Sequence, residues 1–359
     1  RVRYFLVSQR RANVFGLGLI GGSLAAALSA RGWSVTGTDQ DPKVEQEALS
    51  LGLIAHVGID HDAEITFVAT PVSSVVAQVK RALSYTAGLV TDVGGVKTNI
   101  VGEIDDQRFV AGHPMAGSEL VGLAGADESL FEGAVWVLTP SSHTSDETFA
   151  KVAQIVKELG AEFVVLTAER HDQLVAIVSH LPHLTAATLM SLAGQSAEEH
   201  VAVLRLAAGG FRDMTRVASG HPGIWIDVCK ENKHAITSAL DGMIEGLQSM
   251  RHIISEEQSD QLFERLQTAR VARANLPGRV GELLDVVEVR IPIPDRARAA
   301  AEIFSLAAEL GVNAANFEVA HSVEGDRGIL VLVIDQANQD VFKGGLIARG
   351  FRPSIQRLS

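Results

Sequence analysis

A glycine-rich loop between an apolar strand and a small-residue helix constrains the fold of this chain more than any other feature. The segment ANVF at residues 12–15 predicts a short strand, and GLGLIGGSLAAAL follows it at once as a predicted helix. The spacing G-x-G-x-x-G in this context is the fingerprint of a dinucleotide-binding βαβ unit. We expect Gly16 to make the tight turn, Gly18 to let backbone N–H groups reach a pyrophosphate, and Gly21 to let the helix pack close to the strand.

The next predicted strand supplies an acidic residue that selects the nucleotide. The segment SVTGT ends directly before Asp39. An acidic side chain at this point accepts hydrogen bonds from the adenosine ribose hydroxyls and repels a 2′-phosphate. Asp39 therefore predicts NAD rather than NADP, although Arg31 or Lys43 nearby would soften that preference. We also expect Leu19 and Ile20, at the helix start, to contact the cofactor.

Strands and helices continue to alternate up to residue 168. Further strands are predicted at residues 64–70, 88–92, 108–112, 134–138 and 162–166, with helices near 73–83 and 147–159. This order is typical of parallel βαβ units, so we predict an α/β Rossmann-type doubly wound sheet forming an NAD-binding domain over residues 11–168. Ligands of such sheets lie beyond the carboxyl ends of the strands, where Thr70, Pro71 and Asp92 fall, and we add these three to the predicted cofactor contacts.

Two segments near the middle of this domain are predicted to form the floor of an active site. They are VTDVGGVK at residues 90–97 and FVAGHPMAGSE at residues 109–119. Their Gly and Pro breaks allow the backbone to approach a ligand closely, and Lys97 stands at a predicted helix start. Because His113 follows a strand end, we expect it beside the nicotinamide position.

From residue 169 to residue 275 the apolar spacing becomes helical, which predicts an all-α domain. The segment SHLPH at residues 179–183 contains Pro182, which predicts a kink, and places His180 and His183 on one face. No third ligand is spaced suggestively, so we predict no metal site.

Two arginines and an acid follow in GGFRDMTR at residues 209–216. Arg212 and Arg216 are either surface ion-pair partners or a carboxylate clamp, for which a guanidinium fork is suited. A helix is then predicted over residues 227–252. Its apolar stripe is typical of a helix packed in a bundle and consists of Ile236, Leu240, Met243, Ile244 and Leu247.

Composition excludes several classes of partner. The 359 residues carry a net charge of −12, so the summed field favours neither nucleic acid nor an anionic membrane, while a local basic pocket for an anionic substrate stays open. No apolar run reaches the roughly 18 residues of a membrane span, and no signal-peptide pattern is present. The single cysteine, Cys229, fits a reducing compartment, and we expect a cytoplasmic protein.

Taken together, these motifs resemble the prephenate/arogenate dehydrogenases of tyrosine biosynthesis over about residues 11–270. The resemblance rests on GLGLIGGS, TDVGGVK, GHPMAGSE, SHLPH and GGFRDMTR in that order, followed by Trp225. It implies a Rossmann domain, an all-helical dimerisation domain and a homodimer. It also implies NAD-dependent oxidative decarboxylation of prephenate or arogenate, and the sequence does not choose between these two substrates.

The resemblance also assigns roles to individual residues. It makes His113 the base that hydrogen-bonds the ring hydroxyl, a task that suits a neutral histidine. The implied substrate residues are His183 in the pocket, Arg216 on a carboxylate, Glu119 as a polar gate, Asp213 and Trp225 at the neighbouring subunit, and Ser179 in the matched SHLPH segment.

One position of the catalytic set departs from the family pattern. Gly95 stands where many members have a serine that contacts both the substrate and the catalytic histidine. Either His113 suffices, or a water, Thr98 or Ser118 takes this role, or catalysis is weakened. Our hypothesis is an active enzyme with a water in that place.

Beyond a predicted linker at residues 276–281, residues 284–359 read as β-α-β-β-α, an order typical of ferredoxin-like α+β domains. They resemble an ACT domain, which implies an aromatic amino-acid effector. The family's ligand loop usually has glycine after Asp-x-Pro, where this chain has Asp295-Arg-Ala-Arg298, so sensing and a structural or oligomerisation role both stay open. Two alternative functions are a catalytically weak NAD- and amino-acid-binding regulatory protein and another small-hydroxyacid dehydrogenase.

Overall fold

A computed structural model of the chain describes residues 9–117, 120, 122–199, 206–220, 222–275, 286–294, 299–321 and 327–357. These residues form two compact units, one within Arg1–His252 and the other within Ile253–Ser359, each with its own hydrophobic core. Several sequence predictions lie outside the described residues: those for Ser118, Glu119, the 276–281 linker, the 295–298 loop and the turn at 324–326.

The first unit is built on an eight-stranded sheet in the order β3-β2-β1-β4-β5-β6-β7-β8. Its strands are β1 Arg11–Phe15, β2 Ser34–Thr38, β3 His56–Val57, β4 Ile65–Val68, β5 Leu89–Asp92, β6 Phe109–Pro114, β7 Val135–Thr139 and β8 Glu162–Val165. The first six run parallel in the order 3-2-1-4-5-6 that dinucleotide-binding folds use. The predicted Rossmann-type sheet is confirmed, and β3 is a strand that the sequence analysis missed.

The pairing of β7 with β6 is antiparallel, with Gly112 opposite Leu138, and β8 then runs parallel to β7. Parallel neighbours require a crossover connection, usually a helix. Between β6 and β7 the described residues contain only the short 3₁₀ turn Leu123–Gly125. The prediction of uniformly parallel strands was therefore wrong at this pairing.

The helices of the sheet domain are α1 Leu19–Ala30, α2 Pro42–Ser50, α3 Val72–Tyr85, α4 Thr98–Glu103 and α5 Asp146–Glu158. Two of these helices have side-chain N-caps. Asp41 caps α2 by accepting a hydrogen bond from the Lys43 N–H, and Ser145 caps α5 by accepting one from the Thr148 N–H. The sequence analysis missed α2, whereas α4 begins directly after Lys97, where a helix start was predicted.

A predominantly helical region follows within the same chain, and the prediction of a helical domain is confirmed. Its elements are α6 Ala168–Val175, a π-helical turn Ala176–His180, α7 Leu181–Glu199, α8 Gly209–Thr215, α9 Pro222–Glu231, α10 Lys233–Ser255 and α11 Ser259–Ala274. The single helix predicted over 227–252 was wrong, because α9 and α10 are divided at Asn232. The amide of Asn232 hydrogen-bonds the Asp172 carbonyl (2.9 Å) and His180 Nδ1 (3.2 Å) inside the protein.

The helical run Ala168–Gln195 is 28 residues long with a mean hydropathy of 1.4, so one helix among the described residues is long and apolar enough to cross a membrane. The sequence analysis found no such run. The first half of this helix carries His171, Asp172 and His180, which are buried and hydrogen-bonded within the protein. A π-helical turn stands directly before Pro182, where a kink was predicted.

The second unit contains a four-stranded antiparallel sheet in the order β10-β11-β9-β12. Its elements are β9 Val286–Pro294, α12 Ala299–Glu309, β10 Ala314–His321, β11 Arg327–Asp335, α13 Gln339–Ala348 and β12 Ser354–Arg357. Along β9, buried Val287, Val289 and Ile291 alternate with exposed Arg290 and Pro292, which gives the sheet one apolar face. The sequence analysis missed β12, whose segment SIQR has only one apolar residue.

Candidate active site

The loop between β1 and α1 has the shape of a phosphate cradle. Gly16 has φ +90°, and a Cβ on Gly21 would lie 1.8 Å from the Gly16 carbonyl oxygen, so glycine is required at both positions. At Gly18 no described atom lies within 4 Å of a Cβ, and no described side chain caps the helix that begins at Leu19. The open space and the uncapped N–H groups of Leu19 and Ile20 fit an anionic pyrophosphate.

The residues around this cradle fit the rest of a dinucleotide. Asp39, at the end of β2, accepts hydrogen bonds from the Leu17 N–H (2.7 Å) and the Asp41 N–H (3.0 Å), which holds its carboxylate beside the loop. Thr70 lies against the loop, with Cγ2 3.1 Å from a Cβ built on Gly16, and its buried hydroxyl has no partner among the described residues. Pro71 is exposed and precedes α3. These donors and acceptors are those that NAD requires.

Asp92 belongs to a buried network inside the sheet domain. Its carboxylate is fully buried and accepts hydrogen bonds from Lys97 Nζ, from the Gly94 N–H (2.8 Å) and from the Gly112 N–H (3.2 Å). Burial lowers the pKa of Lys97, although the nearby Asp92 opposes that shift. Asp92 therefore fastens the 92–97 loop to β6, and its contact with a cofactor stays a prediction.

His113 lies at the carboxyl end of β6 and faces Gly95. A Cβ built on Gly95 would lie 3.8 Å from both Cε1 and Nε2 of His113. The other ring nitrogen, Nδ1, lies 2.9 Å from Nε2 of His171, and His171 Nδ1 lies 2.8 Å from Oδ1 of Asp172. Gly95 therefore leaves open space beside Nε2, the nitrogen of His113 that has no hydrogen bond to any described residue.

The surroundings of His113 keep its imidazole neutral. Burial lowers the pKa of His113 well below 6.5, and the neighbouring His171, Lys97 and His180 lower it further. A neutral imidazole has one nitrogen with a lone pair, and it can accept a proton at that atom. His113 thus has the electrostatics of a general base at neutral pH.

The sequence analysis missed His171 and Asp172 as site residues. His171 is fully buried and Asp172 is 4% exposed. The signal available in the sequence was the adjacent pair His171 and Asp172, near the start of the region that was predicted to be helical. A histidine on such a face is usually part of the core, and only the fold shows that this one reaches His113.

A second cluster lies on α7 and α9. The ring of His183 stacks on Trp225 with centroids 3.6 Å apart and an interplanar angle of 13°, and His180 approaches the same indole edge-on at 6.0 Å. Burial lowers the pKa of His180 to about 4, while Asp172 opposes the shift, and burial also lowers that of His183. Trp225, which the resemblance assigned to a subunit boundary, thus packs on a histidine of its own chain.

The remaining predicted substrate residues stand at more open positions. Arg216 directly follows α8 and is exposed, Asp213 is exposed on the same helix, and Ser179 is half-buried in the π-helical turn. Their contacts with a substrate stay predictions. Among the described residues no group of three or more His, Cys, Asp and Glu side chains could hold a metal ion.

Comparison with known proteins places both parts of this site in one family. The family described as prephenate dehydrogenase, nucleotide-binding domain, matches residues 24–165, and that described as prephenate dehydrogenase, dimerization domain, matches residues 167–268. The prephenate dehydrogenase of Bacillus subtilis is 33% identical over an alignment of 332 residues that covers 88% of this chain and 89% of that protein.

Solved structures agree with this assignment. Prephenate dehydrogenase from Aquifex aeolicus in complex with hydroxyphenyl propionate and NAD+ is 28% identical with a TM-score of 0.71, over 76% of this chain and 100% of that one. The arogenate dehydrogenase of Synechocystis is 31% identical with a TM-score of 0.65, over 74% and 99%. The chain therefore belongs to the prephenate dehydrogenase family.

Proposed function

We propose that this chain catalyses the NAD-dependent oxidative decarboxylation of prephenate to 4-hydroxyphenylpyruvate, or of arogenate to tyrosine. The observation that carries the proposal is a neutral His113 whose Nε2 faces open space at the carboxyl end of β6. The cradle at Gly18 lies at the same end of the sheet, beyond β1. A base and a dinucleotide site at one sheet edge are what a hydride-removing enzyme of this fold requires.

In this mechanism His113 Nε2 accepts the proton of the ring hydroxyl while hydride leaves the carbinol carbon. Bound NAD+ supplies the hydride acceptor. The bond between the ring and its carboxylate also breaks, carbon dioxide leaves, and the electron pair of that bond completes the aromatic ring. The ring oxygen takes the proton back from His113, which gives the phenol and restores the neutral histidine. Because His113 is neutral before the reaction, the proton has an acceptor at the moment that the carbonyl forms.

The substrate is held from the helical side of the site. Arg216 provides a guanidinium for a substrate carboxylate, and His183, ordered by its stack on Trp225, lines the pocket. Ser179 and Asp213 complete the polar surface, and Glu119 gates it.

The alternatives are not favoured. A sensor without catalysis has no use for a neutral base that faces open space, and His113 is held in that state by burial and three neighbouring groups. Another hydroxyacid dehydrogenase would not account for the two family matches that together span residues 24–268.

The antiparallel sheet of residues 286–357 fits an ACT-like regulatory domain. The order β10-β11-β9-β12 with two helices on one face is that of a ferredoxin-like β-α-β-β-α-β fold. The effector is an aromatic amino acid, and calorimetric titration with tyrosine and with phenylalanine tests this. A binding heat with either amino acid would support sensing. The absence of a binding heat with both would reject sensing in favour of a structural role.

The helical region supports a homodimer. Its exposed apolar side chains include Leu192 (61% exposed), Ile244 (49%) and Leu247 (57%). An apolar groove of about 330 Å³ lies on the same region and is lined by Leu181, Pro182, Ala186, Leu189, Met214 and Met243. Analytical ultracentrifugation tests this assembly, and a monomer at micromolar concentration would refute it. A cytoplasmic location, with Cys229 as a free thiol, completes the proposal.

The decisive assay crosses prephenate and arogenate with NAD+ and NADP+ and follows nicotinamide absorbance. We expect reduction of NAD+ with at least one of the two substrates and weaker reduction of NADP+, because Asp39 repels a 2′-phosphate. Silence in all four combinations by a protein that still binds NAD+ would reject the proposal.

A further inference from the structure

We infer that His171 and Asp172 are positioning residues that fix the tautomer of His113, so that Nε2 is the nitrogen that carries the lone pair. This inference rests on the proposed function of His113 as the base. It assigns work to two buried residues that the resemblance left without a role. The juxtaposition that carries it is the chain of short contacts from Asp172 through His171 to His113.

The chain begins at a carboxylate that can only accept hydrogen bonds. Asp172 Oδ1 accepts from the Lys97 N–H and Oδ2 from the Thr98 N–H, both at 2.8 Å. Burial acts to raise the pKa of Asp172, but the hydrogen bonds from His171, Thr98 and Lys97 outweigh it and lower the pKa below its ordinary value. Asp172 is therefore ionised, and the third contact of its carboxylate must also come from a donor.

The donor is His171, and its protonation follows from that. Nδ1 of His171 lies 2.8 Å from Asp172 Oδ1, so this nitrogen carries the proton. A neutral His171 then has its lone pair on Nε2, which lies 2.9 Å from His113 Nδ1. His113 must donate from Nδ1, and its own lone pair is left on Nε2, which faces Gly95. For a neutral His171, each step leaves only one arrangement of protons.

The same chain keeps its arrangement through proton transfer. When His113 accepts a proton at Nε2 it becomes an imidazolium, and its Nδ1–H keeps the hydrogen bond to His171. The negative charge of Asp172, which is buried, lies on the far side of His171. Burial and the neighbouring groups still oppose the imidazolium, so His113 readily gives the proton up again.

Two substitutions break the chain at different links. Asp172→Asn replaces one acceptor oxygen by a donor NH₂ group, which favours the reversed tautomer of His171 and so of His113. His171→Leu removes the acceptor for His113 Nδ1, whereas His171→Gln places an amide oxygen near the former Nε2 and should restore part of the activity. The matched controls are Asp105→Asn and His143→Gln, in an exposed His–Asp pair 2.7 Å apart on the protein surface.

The test combines turnover with ¹⁵N NMR of histidine-labelled protein. We expect Asp172→Asn and His171→Leu to lower kcat about a hundredfold, which is at the low end of the contribution of a general base. The KM for NAD+ should not change. His171→Gln should fall between them and the wild type, and both controls should match the wild type. Spectra of the wild type should show His113 protonated at Nδ1, and those of Asp172→Asn should show a second form protonated at Nε2.

Full turnover in both folded variants would overturn the inference, as would a wild-type His113 that is protonated at Nε2. If the variants do not fold, the wild-type spectrum alone decides. A wild-type protein that turns over neither prephenate nor arogenate, yet shows the Nδ1-protonated form, would reject the proposed function and leave the network in place.

Discussion

The two halves of the site are built in different ways. On the sheet side, His113 is held by a continuous set of buried hydrogen bonds that runs through His171 and Asp172 to the backbone of Lys97 and Thr98. On the helical side, His183 stacks on Trp225, and the predicted substrate residues Asp213, in α8, and Arg216, directly after it, are exposed.

This difference separates chemistry from recognition. A network of hydrogen bonds that joins several residues is rigid, and it keeps a base in one orientation. An exposed arginine has more conformational freedom than a buried histidine, and binding of a substrate can change its side-chain conformation. We therefore expect changes on the sheet side to act on kcat and changes on the helical side to act on KM.

The largest effect should come from His113 itself. His113→Asn removes the base while it keeps a polar side chain, so kcat should fall about 10³-fold, within the range for a lost general base. Binding of NAD+, followed by quenching of tryptophan fluorescence, should not change because the cradle at Gly18 is untouched. A loss of less than tenfold would show that another group takes the proton.

Arg216 tests the helical half. Arg216→Ala removes the carboxylate partner, and a hydrogen bond to a charged group contributes about 1.5–3 kcal/mol, so the KM for substrate should rise roughly 10- to 150-fold. Arg216→Lys should recover only part of this, because an ammonium lacks the bidentate fork. The comparison would fail if kcat fell as far as in His113→Asn while the KM stayed constant.

The pH profile sharpens the electrostatic side of the comparison. A histidine with the ordinary pKa of about 6.5 would be only about one-tenth neutral at pH 5.5, and kcat/KM would be down about tenfold there. Because burial and three neighbouring groups lower the pKa of His113, its neutral form should persist, and kcat/KM should stay near its plateau at that pH. Measuring kcat/KM at intervals from pH 5 to pH 8 tests this. A profile in which kcat/KM falls to half of its plateau near pH 6.5 would contradict it.

Most of the fold could be predicted because local patterns determine it. Buried strands such as Ile65–Val68 are rich in residues that favour β-structure, and glycine spacing marks the loop from Gly16 to Gly21. The antiparallel β7 could not be predicted, because direction depends on the path of the connection and not on the strand's own residues. Nor could β12, since an edge strand with one apolar residue has no pattern of its own.

The sequence indicates single residues of the site but not the contacts between them. Motifs indicated His113, His183 and Arg216 by their resemblance to a family, and their contacts with a substrate stay predictions. The sequence could not show that Asp92 is paired with Lys97, or that His171 lies 2.9 Å from His113, because both contacts join separate elements. Networks of this kind follow from the packing of a helix on a sheet, which a one-dimensional pattern does not contain.

The smallest effect is expected at Gly95, where this chain lacks the serine of many relatives. A Cβ there would have no described contact within 4 Å except Cε1 and Nε2 of His113, at 3.8 Å, so Gly95→Ser should fold normally. Its hydroxyl would replace a water as a hydrogen-bond partner of Nε2, and one such exchange contributes about 0.5–1.5 kcal/mol, so kcat should change by no more than roughly tenfold. Gly95→Ala serves as the control, because it adds the Cβ without the hydroxyl. A hundredfold gain in turnover with serine, absent with alanine, would mean that the glycine impairs the base. The sheet side of the site would then lack a hydroxyl that His113 needs for full activity.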